Sequence, residues 1–412
     1  MKRICIVGGG FGGVSALAHL REGLKKRHHV DVTLIDPRAD FLFTPVLPEV
    51  ASSGVSSRVA QLRLESLMDG DHFESVQDRA LGFDFEKGVV SLSESELGFD
   101  HLILAVGTEP DLGALDDPES VALSWKTGED ARLLMRRVVD AFNRLSPDLD
   151  QAQLRSRLTF MVVGAGATGV ELASELNAGV RRALLPRMPQ SVREAFRVVL
   201  VEARQEVLHR HGSSVSGYAA RRLGEAGVDL VLGQRVAALR QGVAVLESGE
   251  ELYADHIVWA GGLRAPRWLE GVNLPLSAAG EILVDDDLAV QGLERVFAVG
   301  DAVHRVGAEP WPKTAFCAVQ QGPIAANNVL MDMVGASLDP FEYIHWGDFI
   351  KLGEKDAVLD MGGVTLTGAL AWTATRLAHV LLAPTTTKKV ALFTEWTNNL
   401  LRGSELGRLP VS

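Results

Sequence analysis

Two glycine clusters in this chain have the residue types and spacing to hold phosphate. Gly8-Gly9-Gly10-Phe11-Gly12-Gly13 and Gly164-Ala165-Gly166-Ala167-Thr168-Gly169 both read G-x-G-x-x-G. In such a loop the first glycine permits a tight turn, the second lets the backbone approach a pyrophosphate, and the third lets a helix close on a strand. Each cluster follows an apolar run short enough for a buried strand and precedes residues with helical spacing, so unpaired helix N-terminal N–H groups would face the phosphates. Downstream of each, another apolar run ends in a carboxylate: Asp36, 23 residues after Gly13, and Glu202, 33 residues after Gly169. A carboxylate at that place accepts the hydroxyls of an adenosine ribose. The longer second spacing is accounted for by residues 181–195, whose two prolines mark an added connection.

The elements that position these residues follow in order. Apolar runs ending in glycine recur at Gly107 and Gly261, and a further run ends in Gly300-Asp301. An aspartate there can hydrogen-bond a polyol or cap a helix. Residues 41–50, with two prolines among apolar side chains, are expected as a loop over something apolar. Residues 73–100 and 228–252 are expected as small β-rich insertions, while 128–145 and 314–328 have helical periodicity. The fold class is therefore α/β, with two Rossmann-like dinucleotide-binding domains, the second inserted in the first, and a C-terminal helical segment.

Composition narrows the function. A net charge of −12 argues against a nucleic-acid partner, because phosphate binding relies on Lys and Arg. The two cysteines, Cys5 and Cys317, are too few and too far apart for a redox pair or a metal framework, so no metal site is expected and reduced cytosol fits. The first strand begins at the N-terminus, leaving no room for a cleaved signal peptide, and no stretch offers 18 uncharged apolar residues.

The arrangement of Gly8 to Gly13, Asp36, Gly107, Gly164 to Gly169, Glu202 and Gly300-Asp301 resembles the two-dinucleotide-binding-domain flavoproteins of glutathione-reductase-like fold. Within them, Leu42-Phe43-Thr44-Pro45, the run from Gly166 to Ala173, Trp259-Ala260-Gly261-Gly262 and the run from Leu366 to Trp372 are similar to type II NADH dehydrogenases, which are non-pumping NADH:quinone oxidoreductases. The resemblance implies an FAD-binding domain in residues 1–120 and 276–340, an NADH-binding domain in 121–275, and a membrane-association or interface segment in 341–412. It implies FAD contacts from Gly8, Gly10, Phe11, Gly12, Gly13, Asp36, Thr44, Ala105, Gly107, Gly300, Asp301 and Ala318. NADH contacts would come from Gly164, Gly166, Thr168, Gly169, Glu202 and Gly261. Glu202 would repel the 2′-phosphate of NADPH, and Arg204, two residues on, would attract it. Glu171 matches an acid that the family places near nicotinamide and flavin; a helix-start acid favoured by the dipole is the other reading.

Hydride transfer from nicotinamide to flavin needs no protein nucleophile, so the lack of a cysteine pair separates this chain from disulfide reductases and from sulfide:quinone reductases. The family's Ala-Gln-x-Ala-x-Gln quinone motif reads Ala315-Phe316-Cys317-Ala318-Val319-Gln320 here. Gln320 is expected to hold a quinone headgroup, and Phe316 to stack on it. Beyond Thr365, Trp372, Leu377, Val380, Leu381, Leu382, Val390, Leu392, Phe393, Trp396, Leu400 and Leu401 fall on two amphipathic helices, where Arg376, Lys388, Lys389 and Arg402 outnumber Glu395. Such faces suit a membrane interface, the body of the protein or a second copy in a homodimer. The family points to the cytoplasmic face of the cell membrane. A soluble NADH oxidase or diaphorase, and a nucleotide-binding redox sensor, are the alternatives.

Overall fold

The computed structural model describes residues 2–25, 29–52, 54–68, 70–112, 121–146 and 148–402, side chains of 400–402 apart. Leu400 and Leu401 thus lie outside the described side chains. The chain forms two compact units: Met1–Leu42, Gln61–Glu109 and Leu263–Ile344 make the first, while Phe43–Ala60, Pro110–Gly262 and His345–Ser412 make the second. The divisions fall at 109 and 262 rather than at 120 and 275, and the short segment Phe43–Ala60 goes with the second unit.

In the first unit the strand Lys2–Val7 lies at the centre of a five-stranded parallel sheet, in the order Val296–Ala298, His101–Leu104, Lys2–Val7, Val30–Ile35, Phe73–Val76. The central strands are apolar and buried because helices cover a parallel sheet on its faces. The helix Phe11–Leu24 packs along the helix Ala315–Asp332 so closely that glycine is required. A Cβ on Gly322 would stand 2.2 Å from the Ser15 hydroxyl and 2.5 Å from the Gly12 carbonyl oxygen.

The second unit repeats the plan, with a parallel sheet in the order Leu123–Ser124, His256–Trp259, Thr159–Val163, Arg197–Glu202, Val228–Leu232. The helix Ala167–Ala183 follows the second glycine loop, and a capping box of Thr127 and Asp130 starts the helix Gly128–Asn143. This unit adds a three-stranded antiparallel sheet, Asp348–Lys351, Ala357–Asp360 and Thr365–Thr367, and the helices Gly368–Leu382 and Thr386–Arg402.

Two expectations need correction. Phe73–Val76, expected within a small antiparallel insertion, is the outer strand of the first parallel sheet, and Val228–Leu232, in the stretch expected to be β-rich, is the outer strand of the second. Edge strands are covered less than central ones, so their partly exposed residues lack a continuous apolar run. True antiparallel insertions follow each, at Gly82–Asp84, Val89–Ser91, Glu96–Gly98 and at Val236–Arg240, Val243–Leu246, Glu251–Tyr253. Residues 41–50 are not a loop: Asp40–Leu42 is a strand, and Pro45 and Pro48 sit at the first positions of a 3-10 turn, Thr44–Val46, and a helix, Leu47–Ala51. Proline suits a helix start, where its missing N–H costs nothing.

Gly322→Ala should therefore lower the Tm by several degrees, the overpacking cost of about 1–3 kcal/mol exceeding the ~1 kcal/mol gain in helix propensity. Gly217→Ala, on the helix Ser213–Glu225 where an added Cβ meets nothing within 4 Å, should hold or raise it. Thermal unfolding of the two variants checks this, and equal shifts would contradict the close helix crossing.

Candidate active site

Each glycine loop is closed by its strand-end acid. Asp36, buried at the end of Val30–Ile35, accepts the Gly9 N–H on Oδ2 at 2.7 Å and the Arg38 N–H on Oδ1 at 2.8 Å. Glu202 does the same in the second unit, accepting the Ala165 N–H on Oε2 at 2.7 Å and the Arg204 N–H on Oε1 at 3.0 Å. The first glycine of each loop is left-handed, Gly8 at φ 111° and Gly164 at φ 102°. A Cβ on Gly13 would overlap the Gly8 carbonyl at 1.9 Å, and one on Gly169 the Gly164 carbonyl at 1.8 Å. Gly10 and Gly166 differ, because a Cβ on either meets nothing within 4 Å. Both are N-cap positions without a side-chain cap, so open space lies at a helix start, where the first N–H groups have no partner within the helix. Such a place suits a pyrophosphate.

Around the first loop lie Ala105, whose carbonyl abuts Gly8, and Val299 and Ala318, which abut Gly12. Phe11 meets Phe41 edge-on at 5.0 Å. Gly107 and Gly300 are left-handed at φ 66° and 85°, and the Gly300 N–H donates to the buried Gln321 Oε1 at 2.7 Å. Asp301 caps no helix, since it lies in the turn before the strand Val303–Arg305 and Thr314 caps the helix Ala315–Asp332. Phe316 is half-buried on that helix. The Gln320 amide is already engaged, donating to the Ile344 carbonyl and accepting the Ile344 N–H, both at 3.0 Å. In the second unit Thr168 is exposed at the helix start, and Gly261 packs on the Trp259 ring.

Also in the second unit, a group of charged side chains converges that the sequence did not reveal. Lys351, wholly buried, donates from Nζ to Glu49 Oε1 at 2.8 Å and to the Pro45 carbonyl, beside Thr44, at 3.0 Å. Glu49 Oε2 accepts Trp396 Nε1–H at 2.8 Å and faces Arg376 at 3.6 Å. The Arg376 guanidinium lies 4.0 Å from the Trp372 ring centre and 4.6 Å from that of Trp396. Glu171 Oε1 accepts the Lys351 backbone N–H at 3.0 Å, and Glu175 follows one helical turn on. Glu171 lies past the first turn of its helix and bonds a separate strand, which removes the dipole reading.

Burial works to raise the Glu49 carboxyl, but Lys351 and Arg376 outweigh it and hold it below its ordinary range. Burial raises the Glu171 carboxyl against Lys351's pull. Burial and the Glu49 charge push Glu175 up to about 7, while burial and Lys351 push the His379 imidazole down to about 3. The cluster thus keeps Glu49 ionised and places a proton on Glu175 up to neutral pH.

The pyridine nucleotide-disulphide oxidoreductase family matches residues 2–322. The chain belongs to this family. Within it, the chain is 30% identical to a type II NADH:quinone oxidoreductase, NdhA, of Mycobacterium tuberculosis, over 100% of this chain and 89% of that protein, and belongs with the type II enzymes. A Staphylococcus aureus type II NADH:quinone oxidoreductase is 25% identical over 89% of this chain and 91% of its own length. Among solved structures, NDH2 from Plasmodium falciparum in complex with NADH superposes at TM-score 0.91 with 17% identity, covering 98% and 99% of the two chains, which shows the shared fold. The disulphide chemistry in the family's name has no counterpart here. Cys5 and Cys317 are both free and buried, their thiols pushed up to about 12 by burial.

The mapped residues fall into groups by unit. The first holds Gly8 to Gly13, Asp36, Ala105, Gly107, Gly300, Asp301, Phe316, Ala318 and Gln320, and the second holds Thr44, Gly164 to Gly169, Glu171, Glu202 and Gly261. Sequence reasoning missed Glu49, Glu175, Lys351, Arg376 and Gln321. The available signals were Glu171 and Glu175 at four-residue spacing, and a lysine in the apolar run Phe349-Ile350-Lys351-Leu352.

Folded Glu175 keeps its proton up to about 7, whereas the ordinary value is 4.5. Between those limits the unfolded chain holds fewer protons, so stability falls as pH rises through the window. Glu175→Gln should flatten the dependence of Tm on pH between 4.5 and 7; a slope equal to the parent's would show the carboxyl ionised throughout.

Proposed function

We infer that this chain is an FAD-dependent NADH:quinone oxidoreductase attached peripherally to the cytoplasmic face of a membrane. The observation that carries the reading is the pair of acid-closed glycine loops in a chain without a cysteine pair, similar along its whole length to a type II NADH:quinone oxidoreductase. Bound FAD supplies the hydride acceptor and two-electron carrier. The protein's part is to bind, orient and manage protons. Glu202 has lone pairs left to accept ribose hydroxyls, and Asp36 gains them when its ribose displaces the Arg38 guanidinium, while the N–H groups beginning at Gly10 and Gly166 hold pyrophosphates. Asp301 is assigned to the ribityl chain. The Glu171 carboxyl is raised above its ordinary range by burial, and the Lys351 backbone N–H fixes one of its oxygens. Phe316 offers a ring face to the acceptor, and Gln320 serves by holding Ile344 in place.

Among the described residues no helix is long and apolar enough to cross a membrane. Leu370, Leu377 and Leu381 are exposed on one stripe of the helix Gly368–Leu382, and Val390 and Phe393 are exposed on the next. These supply an apolar surface for lipid. Two of the basic residues expected to help, Arg376 and Lys388, are turned inward: Arg376 joins Glu49, and the buried Lys388 donates to the Arg58 carbonyl, while Lys389 is half-buried and the side chain of Arg402 lies outside those described. Trp396 is buried as well. Attachment therefore rests on apolar contact and should resist high salt. Leu377→Glu with Phe393→Glu should release the protein from liposomes of neutral lipid in a flotation assay; parent protein that leaves membranes in high salt would contradict an apolar attachment.

The occupied Gln320 amide and the Phe316 substitution favour a second reading, a soluble oxidase passing electrons to oxygen. Anaerobic mixing with NADH, followed by a short-chain quinone, decides between them. The expected result is bleaching of the flavin absorbance by NADH and rapid recovery on adding quinone. Recovery only on admitting air would establish the oxidase reading.

A further inference from the structure

The two strand-end acids share a detail that separates them. Each is followed two residues later by arginine, in Asp36-Pro37-Arg38 and Glu202-Ala203-Arg204. In the first unit the arginine is consumed: Arg38 Nε donates to Asp36 Oδ1 and Nη2 to Oδ2, both at 3.1 Å. In the second, Glu202 takes only the backbone N–H of Arg204, at 3.0 Å. The Arg204 guanidinium is exposed, and among the described residues no hydrogen bond or ion pair holds it. Its backbone is fixed all the same, since the Arg204 carbonyl accepts the Gly233 N–H at 2.7 Å beside the end of the next strand.

We propose that Arg204 is a specificity-determining residue that receives the 2′-phosphate of NADPH, so that the second site accepts both nicotinamide dinucleotides. The inference rests on reading that site as the NADH site. A ribose held by Glu202 would carry any 2′-phosphate toward the loop after the strand, where an unpaired guanidinium offers a planar fork matched to phosphate oxygens. The other ionisable side chains of that loop are Glu206, Arg210, His211, which faces Asp348 and Asp360, and His209, whose imidazole is pushed down by burial and then by the Arg204 charge. Glu202 repels the phosphate and Arg204 attracts it, which narrows discrimination without abolishing the preference for NADH. At the first site the matching arginine, Arg38, is paired with Asp36, which suits a dinucleotide without a ribose phosphate.

The test is equilibrium binding of two fragments, 5′-AMP and 2′,5′-ADP, to the holoenzyme by calorimetry. The expected result is that the ratio of the Kd of 2′,5′-ADP to that of 5′-AMP rises roughly tenfold in Arg204→Gln, the size of one charge-assisted hydrogen bond. Arg204→Lys should restore part of the difference. Raising the salt should lower the ratio in Arg204→Gln, where only the Glu202 repulsion is left to screen, and lower it less or raise it in the parent. A ratio that is the same in parent and Arg204→Gln overturns the proposal while leaving the site intact. Failure of both fragments to bind the parent overturns the underlying reading of the site, and this inference with it.

Discussion

The structure depends on one hydrogen bond made twice: a buried strand-end carboxylate accepting an N–H of the preceding glycine loop, Asp36 with Gly9 and Glu202 with Ala165. A carboxylate withdrawn from water must be met by donors, and the loop N–H groups meet it. The bond pulls the loop over the sheet edge, so that the left-handed Gly8 and Gly164 turn and the following helix opens toward a ligand. Everything downstream uses that geometry. Gly13 and Gly169 exist as glycines because the closed loop brings carbonyl oxygens against them, while Gly10 and Gly166 face open space.

A third buried carboxylate, Glu49, governs the C-terminal part. Lys351, Trp396 and Arg376 reach it from a strand and two helices far along the chain. A buried ion pair returns little net stability against its hydrophobic replacement, yet removing one partner leaves a buried charge unpaired. The cluster therefore fixes how the two last helices lie more than it strengthens them. With Trp396, Leu392, Ala371 and His379 turned inward, the leucines on the opposite faces are left outside.

How much of this was legible in sequence follows from the range of each interaction. The glycine loops, the acids and the alternation of strands and helices are written in short local patterns, and the fold and the two acid-closed glycine loops came from them. The outer strand Phe73–Val76 was misread because a half-covered edge loses the apolar run that marks a parallel strand. The prolines at 45 and 48 pointed to a loop where they begin short helices. The Glu49 cluster was invisible because its members are separated by as many as 347 residues, and no spacing rule connects them. Gln320 illustrates the remaining limit: its position on the helix was correct, but what its amide holds depends on where Ile344 lies.

The first unit is stitched from segments that leave the ribosome far apart in time. Its sheet is completed only when Val296–Ala298 pairs beside His101–Leu104, and the helix Phe11–Leu24 is covered only when Ala315–Asp332 arrives. At about 5–20 residues per second, the nascent chain carries that uncovered apolar helix for roughly 15–60 s. In the interval the second unit's parallel sheet can already pair, since its strands run from Leu123–Ser124 to His256–Trp259 without interruption by the first unit. The inserted sheet is thus the earlier to assemble, and the domain that opens the sequence is among the last parts of the protein to close.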